Sequence, residues 1–203
     1  MIHPRRSQLR VLRNLRVKFL KGFTTKTIQK FDKSIVKNKR SSSIYKLYLR
    51  EKKKLCFFYC ITKKQLLNYI KKALKLKGFS SVILFQMLEM RLDTILFRFQ
   101  LAPTIISARQ MISHGHILVN SKKVTIPSFL CSPNDIIDLK NGKSLNILKN
   151  LKRKDSSFQV KQTNFSHLKF DLKKNRGIIM NLPTKIEEYT WIDFSIILEN
   201  YWK

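Results

Sequence analysis

The sequence predicts an α+β protein: a run of helices, then a small, mostly antiparallel sheet. Three observations carry this. Only five Gly and five Pro in 203 residues favour helices joined by short connections. Apolar residues recur at helical spacing as far as Ile112. Beyond Gly115 the apolar period falls to two, as strands require.

Residues 1–43 form a basic arm whose single acid is Asp32. Such an arm is either solvated throughout or ordered only against a polyanion. From Ile44 to Lys54, the residues Ile44, Leu47 and Tyr48 mark an apolar helix face. Thr62 is placed to cap a helix carrying Leu66, Leu67, Ile70, Ala73 and Leu74 inward, and Gly78 is placed to end it. A continuous helix is expected from about Phe79 to Phe99, with Val82, Phe85, Leu88, Leu92, Ile95, Leu96 and Phe99 inside and Arg91, Thr94 and Arg98 on its outer side. Thr104, after Pro103, opens the next helix. There Ala108, Met111 and Ile112 face one way, while Ser107, Gln110 and His114 share another face at i, i+3 and i+7.

Gly115 supplies the left-handed stop, and Ile117–Val119 reads as a strand. Asn120-Ser121 turns the chain and Val124 and Ile126 return it. Pro133-Asn134-Asp135 turns it again into the strand Ile136–Leu139. Residues 140–163 read as a polar, basic loop. His167–Asp171 and Gly177–Met180 alternate like strands. At the end, Trp191, Phe194, Leu198 and Tyr201 fit a helix, whereas Phe194, Ile196 and Leu198 fit a strand equally well.

Composition narrows the function. Forty-two Lys and Arg against 12 acids give a formal charge of +30, spread over nearly the whole length. A polyanion such as nucleic acid offsets that repulsion best, because each phosphate contact releases condensed counterions. Anionic membranes attract basic segments too, but need only a short patch. The most apolar stretch, 79–101, is interrupted by Gln86, Glu89, Arg91, Asp93 and Arg98, so no membrane span is expected. Cys56, Cys60 and Cys131 are odd in number and form no paired C-x-x-C framework, which fits a reducing compartment. Cys56 and Cys60 could share a metal on one helix face, but no further Cys or His clusters near them, so they read as small core hydrophobes. No metal or cofactor is expected. Met1–Lys30 is Arg-rich and free of acid, like organellar transit segments, and shows no secretory h-region. Heavy use of Lys, Asn, Ile and Phe is what an A+T-rich organellar genome tends to encode.

Taken together, certain segments resemble the small-subunit ribosomal protein S-four family, and its plastid-type members above all. They are Leu55-Cys56-Phe57-Phe58-Tyr59 through Leu66, Gln86 through Asp93, Ala108-Arg109-Gln110 through Asn120, and Ile126-Pro127-Ser128. Weaker likeness continues at Ser166-His167-Leu168 and from Asp193 to Tyr201. The resemblance implies a helical domain begun by 44–89 and completed by 181–203, with an RNA-binding module, 90–180, inserted between. It implies small-subunit rRNA as partner, bound at a helix junction early in assembly, with neighbouring ribosomal proteins and the path of incoming mRNA nearby. The expected place is a plastid ribosome, or alternatively a mitochondrial one. No homo-oligomer is expected. Two departures stand out: the Gly-Pro-Arg opening of the family is here His3-Pro4-Arg5-Arg6, and the usual Asn-Gly turn is Asn120-Ser121, which suggests another turn type. Some bacterial members hold zinc in the arm; no Cys precedes Cys56 here, so zinc is not carried over.

Two other functions compete with this one. A stand-alone binder of stalled ribosomal particles would be shorter and would lack the helical segment 44–78. An RNA-modifying enzyme is suggested only by Arg91-Leu92-Asp93, which is similar to the nucleophile motif of some pseudouridine synthases. The continuation Thr94-Ile95-Leu96-Phe97 departs from that motif, no room remains for a catalytic domain, and Asp93 reads as a helix-surface ion pair. No catalytic residue is assigned.

The RNA-contacting residues expected are Arg91, Arg98, Thr104, Ser107, Arg109, Gln110, His114, His116, Asn120, Lys122 and Lys123, with Arg5, Arg6, Arg10 and Arg13 on the arm. Arg109 offers a fixed fork of donors to phosphate. Gln110, Ser107, Thr104 and Asn120 can bond phosphate, 2′-hydroxyls or base edges, and His114 and His116 can donate or stack. One of Arg91 and Arg98 could instead pair with Asp93 or Glu89.

Overall fold

The structure, a computed structural model, describes residues 8–15, 17, 23, 44–140, 167–171, 176–184, 192–199 and 201. The expected loop over 140–163 therefore lies outside the described residues except for Lys140, as do Arg5, Arg6 and Trp191. The chain divides into two compact units, one made of 1–85 with 186–203 and the other of 86–185.

In the first unit, α1 (Gln8–Leu15) buries Val11, Leu12 and Leu15 and exposes Arg10 and Arg13. Helix α2 (Ile44–Phe58) buries Tyr48, Leu55, Cys56 and Phe58. Its first turn differs from expectation: Ile44 and Leu47 are exposed, so the apolar face is covered only from Tyr48 onward. Helix α3 (Lys63–Lys75) begins with a capping box, the Thr62 hydroxyl accepting from the Gln65 N–H and the Gln65 side chain accepting from the Thr62 N–H. It buries Leu66, Ile70 and Ala73 and ends at Lys75, where Leu76 is already extended (ψ 143°); Gly78, expected to stop the helix, lies beyond that end at φ +127°. The C-terminal segment is a helix, here called α7 (Phe194–Glu199), rather than a strand. Phe194 packs edge-on to Phe85, and Lys52 on α2 donates to both Tyr48 and Tyr201 while lying over both rings. These contacts bury one stripe of the segment, which a helical turn satisfies and a strand would not.

The expected helix over 79–99 is two helices, α4 (Ser80–Glu89) and α5 (Leu92–Arg98). No Gly or Pro marks the break. Arg91 is extended (φ −72°, ψ 139°) and bridges Leu130, while the N–H groups of Leu92 and Asp93 donate to the carbonyls of Phe129 and Pro127. A distant loop thus satisfies amides that would otherwise stay in one long helix.

In the second unit, α6 (Ile105–Ser113) packs on α5, and both lie against a five-stranded antiparallel sheet. The strands are β1 (Ile117–Val119), β2 (Lys122–Lys123), β3 (Ile136–Leu139), β4 (Leu168–Asp171) and β5 (Arg176–Ile179), in the order β2-β1-β3-β5-β4. Alternation puts Ile117, Val119, Ile137, Leu139, Leu168 and Ile179 into one core with Leu92, Ile95, Leu96, Phe99, Ala108 and Ile112. At Gly177 a Cβ would fall 2.4 Å from the Phe99 ring, so the close approach of sheet and helix requires glycine there. The returning strand is shorter than expected: Val124 packs partly on the core, but Ile126 lies beyond β2 and is 60% exposed.

Candidate nucleic-acid interface

Thr104 caps α6, its hydroxyl accepting from the Ser107 N–H at 3.2 Å, and the helix runs to His114. Gly115 then takes φ +73°, and the chain enters β1 at once. This elbow gathers several of the expected residues. A Cβ on Gly115 would sit 2.1 Å from Cε of Lys123, so the lysine stem lies across the glycine. On either side of Gly115 the rings of His114 and His116 are nearly parallel, 16° apart, with centroids 6.1 Å from each other. Gln110 is exposed one turn earlier, and Lys122 is exposed on the edge strand. Backbone geometry therefore brings two imidazoles and the Lys123 ammonium together around Gly115, where they can donate to phosphates or offer ring faces to bases, while Lys122, the next strand residue, points to the other face of the hairpin.

The hairpin that presents the lysines does not use another turn type, as serine at its second position suggested, but keeps the one that Asn-Gly favours. Asn120 and Ser121 both have positive φ, 49° and 66°, and Val119 pairs with Lys122, which is a two-residue type I′ turn. Serine accepts this conformation because Asn120 is held from outside the turn. Its amide donates to Asp135 at 2.8 Å and its side-chain oxygen accepts from the Ile136 N–H at 2.9 Å. Asn120, expected to bond RNA, is thus largely committed to shaping the hairpin. Asp135 was missed by sequence reasoning, although the Pro133-Asn134-Asp135 turn was the available signal; it also accepts from the Ser132 N–H.

Arg91 and Arg98 are not on an outer face. Arg91 is 2% exposed and grips Asp93 through Nε and Nη2, at 3.0 and 2.8 Å. Arg98 is 5% exposed and makes the same two-pronged pair with Glu89, at 2.9 and 2.8 Å. Both expected pairings occur, not one of the two, and both guanidiniums are buried rather than exposed on a helix face. Asp93 is fully buried rather than a helix-surface residue; it also accepts from the Thr94 N–H and from Arg109 Nε at 2.7 Å. Arg109 is consequently half-buried, anchored at Nε with its side chain 27% exposed. Thr104 and Ser107 are half-buried on the same helix. Arg10 and Arg13 are exposed on α1.

The thiols lie in the interior. Burial pushes Cys56 up to about 11, against opposing pulls from Lys52 and Lys63. It pushes Cys131 up to about 12, with Asp135 and Asp93 adding to the effect. Among the described residues no three His, Cys, Asp or Glu side chains are grouped as metal ligands, and no described helix is long and apolar enough to cross a membrane.

A helical unit, a small antiparallel sheet and a basic elbow at a helix-to-hairpin junction define the class, an S4-domain protein. Residues 90–137 match the family model described as S4 domain, and residues 4–89 match the one described as Ribosomal protein S4/S9 N-terminal domain. The small ribosomal subunit protein uS4c of Euglena longa is 44% identical over 189 residues, covering 90% of each chain. Its counterpart in Marchantia polymorpha is 40% identical over 206 residues, covering 99% of this chain and 98% of the relative. That of Oltmannsiellopsis viridis is 47% identical over 143 residues, 69% of this chain and 70% of the relative. The chain belongs to the family of small ribosomal subunit protein uS4c.

Proposed function

We infer that this protein is a structural constituent of the small subunit of the plastid ribosome and binds small-subunit rRNA there. The family membership carries the reading, and the charge of +30 supplies its physical basis. The role is structural rather than catalytic: Asp93, the one carboxylate similar to a nucleophile, is buried beneath two arginines. Rigid positioning is what the elbow contributes. Gly115 holds the helix end and the strand start in a fixed left-handed turn, so the Lys123 stem that lies across it and the paired His114 and His116 rings are presented from a set backbone. Specificity then comes from the shape of the RNA, because the deep groove of duplex RNA offers few readable base edges.

Finer features belong to the same proposal. The binding site is a junction of rRNA helices, the protein joins early in assembly, and neighbouring ribosomal proteins and incoming mRNA lie close by. The helical parts 44–89 and 181–203 flank the module 90–180, and the exposed Arg10 and Arg13 extend the basic surface of the arm. A filter-binding titration on small-subunit rRNA tests the electrostatic core of this reading. With on the order of six to ten phosphate contacts, affinity should fall about 10³–10⁵-fold between 50 and 200 mM salt. A flat salt dependence, or absence of the protein from purified plastid small subunits, would overturn it.

A further inference from the structure

Phe79 is the most exposed large apolar side chain among the described residues, at 83%. Its backbone is nevertheless fixed, since Gly78 turns the chain at φ +127° and the Phe79 carbonyl accepts from the Ile83 N–H in the first turn of α4. Exposed Lys75 and Lys77 precede it. Beside it opens a cavity of about 240 Å³ bordered by Phe79, Ser80, Ser81, Ser195, Leu198 and Glu199. The cleft is open to solvent on one side, and its size admits one planar base.

We propose that this cavity is a base pocket, in which an unpaired rRNA guanine stacks on Phe79 and turns its Watson–Crick edge to Glu199. The proposal rests on the RNA-binding reading above but uses none of the residues assigned there. An aromatic face held on a rigid turn is what base stacking requires, and flanking lysines neutralise the adjoining phosphates. An ionised carboxylate only accepts hydrogen bonds. Guanine presents two neighbouring N–H donors on one edge, which a single carboxylate can take together. The three serine hydroxyls can donate or accept, and so suit ribose or the guanine carbonyl.

Full-length protein and a small-subunit rRNA transcript test this by filter binding. Phe79→Ala should weaken binding about 5- to 100-fold, the range of base–aromatic stacking, with an unchanged melting temperature. Phe79→Trp should hold affinity within about twofold, and Glu199→Gln should weaken it. Wild-type affinity in Phe79→Ala, with steep salt dependence intact, would overturn the pocket and leave the wider reading standing. Failure of the wild type to bind at all would sink the wider reading itself. A photo-crosslinking phenylalanine at position 79 in assembled subunits should capture a guanosine. Capture of a uridine overturns the guanine assignment, and capture of a protein overturns the pocket.

Discussion

Two stretches of this chain carry polar side chains at the same spacing and treat them in opposite ways. Arg91, Thr94 and Arg98 stand at i, i+3 and i+7, and so do Ser107, Gln110 and His114. The first set is buried, at 2%, 0% and 5% exposure; in the second, Gln110 and His114 face solvent and Ser107 is half-covered. Spacing defines a face, but not which medium lies against it. The difference is made by acids. In a chain with only 12 of them, Glu89 and Asp93 sit within reach of the first set and none is close in sequence to the second. A buried arginine needs a carboxylate with it, whereas a phosphate-binding one does better without.

The buried network should give the largest effect when broken. Asp93→Asn leaves Arg91 and the anchored end of Arg109 without their common charge. Removing one partner of a buried pair costs about 3–5 kcal/mol. Urea denaturation should show that loss, with rRNA affinity per folded molecule little changed. Replacing Glu89 and Arg98 together, by Met and Leu, should cost under about 1 kcal/mol or even stabilise, since a well-packed apolar pair often equals a buried ion pair. If the double replacement instead abolished rRNA binding in a stably folded protein, Arg98 would belong to the RNA surface after all.

The elbow should answer the other way round, and its members should not answer alike. His114→Ala should lose roughly 1–3 kcal/mol of rRNA binding, if the contact is charge-assisted, and under about 0.5 kcal/mol of stability. Arg109→Ala should lose both, because its Nε holds Asp93 at 2.7 Å. Binding curves and denaturation midpoints measured on the same preparations check the contrast. Equal behaviour of the two variants would erase the distinction between a surface contact and an anchored one.

What could be read beforehand follows the same line. Features set by local chemistry were legible: the Thr62 cap, the Gly115 stop, the inward faces of α3 and α6, and the strands β1 and β3. Features set by distant contacts were not. The break at Arg91 depends on residues 127–130, the helical form of 194–199 depends on Phe85 and Lys52, and the tight Asn120-Ser121 turn depends on Asp135. The candidate site divides likewise. Its exposed donors were legible from one helix face and a glycine. Its anchors, Asp93 beneath Arg109 and Asp135 beneath Asn120, are acids that hold a basic or amide partner from sixteen and fifteen residues away.

The histidines repeat the contrast on a smaller scale. His114 is exposed on the elbow, whereas His167 is buried just before β4. Burial pushes the His167 imidazole down from its ordinary range; Glu89 opposes this and Arg98 adds to it. A base whose folded value is lowered binds its proton more weakly than the unfolded chain does. Its neutral form costs nothing above the unfolded value, near 6.5, and stability is lost as pH falls from there toward the depressed folded value. Denaturation midpoints taken at stepwise lower pH, beginning above 7, should therefore decline in the wild type. His167→Gln, which carries no ionisable group, should flatten the part of that decline lying just below pH 6.5. An identical slope in both proteins would show that His167 accepts its proton within the fold as readily as in the open chain, and that its burial yields when charged.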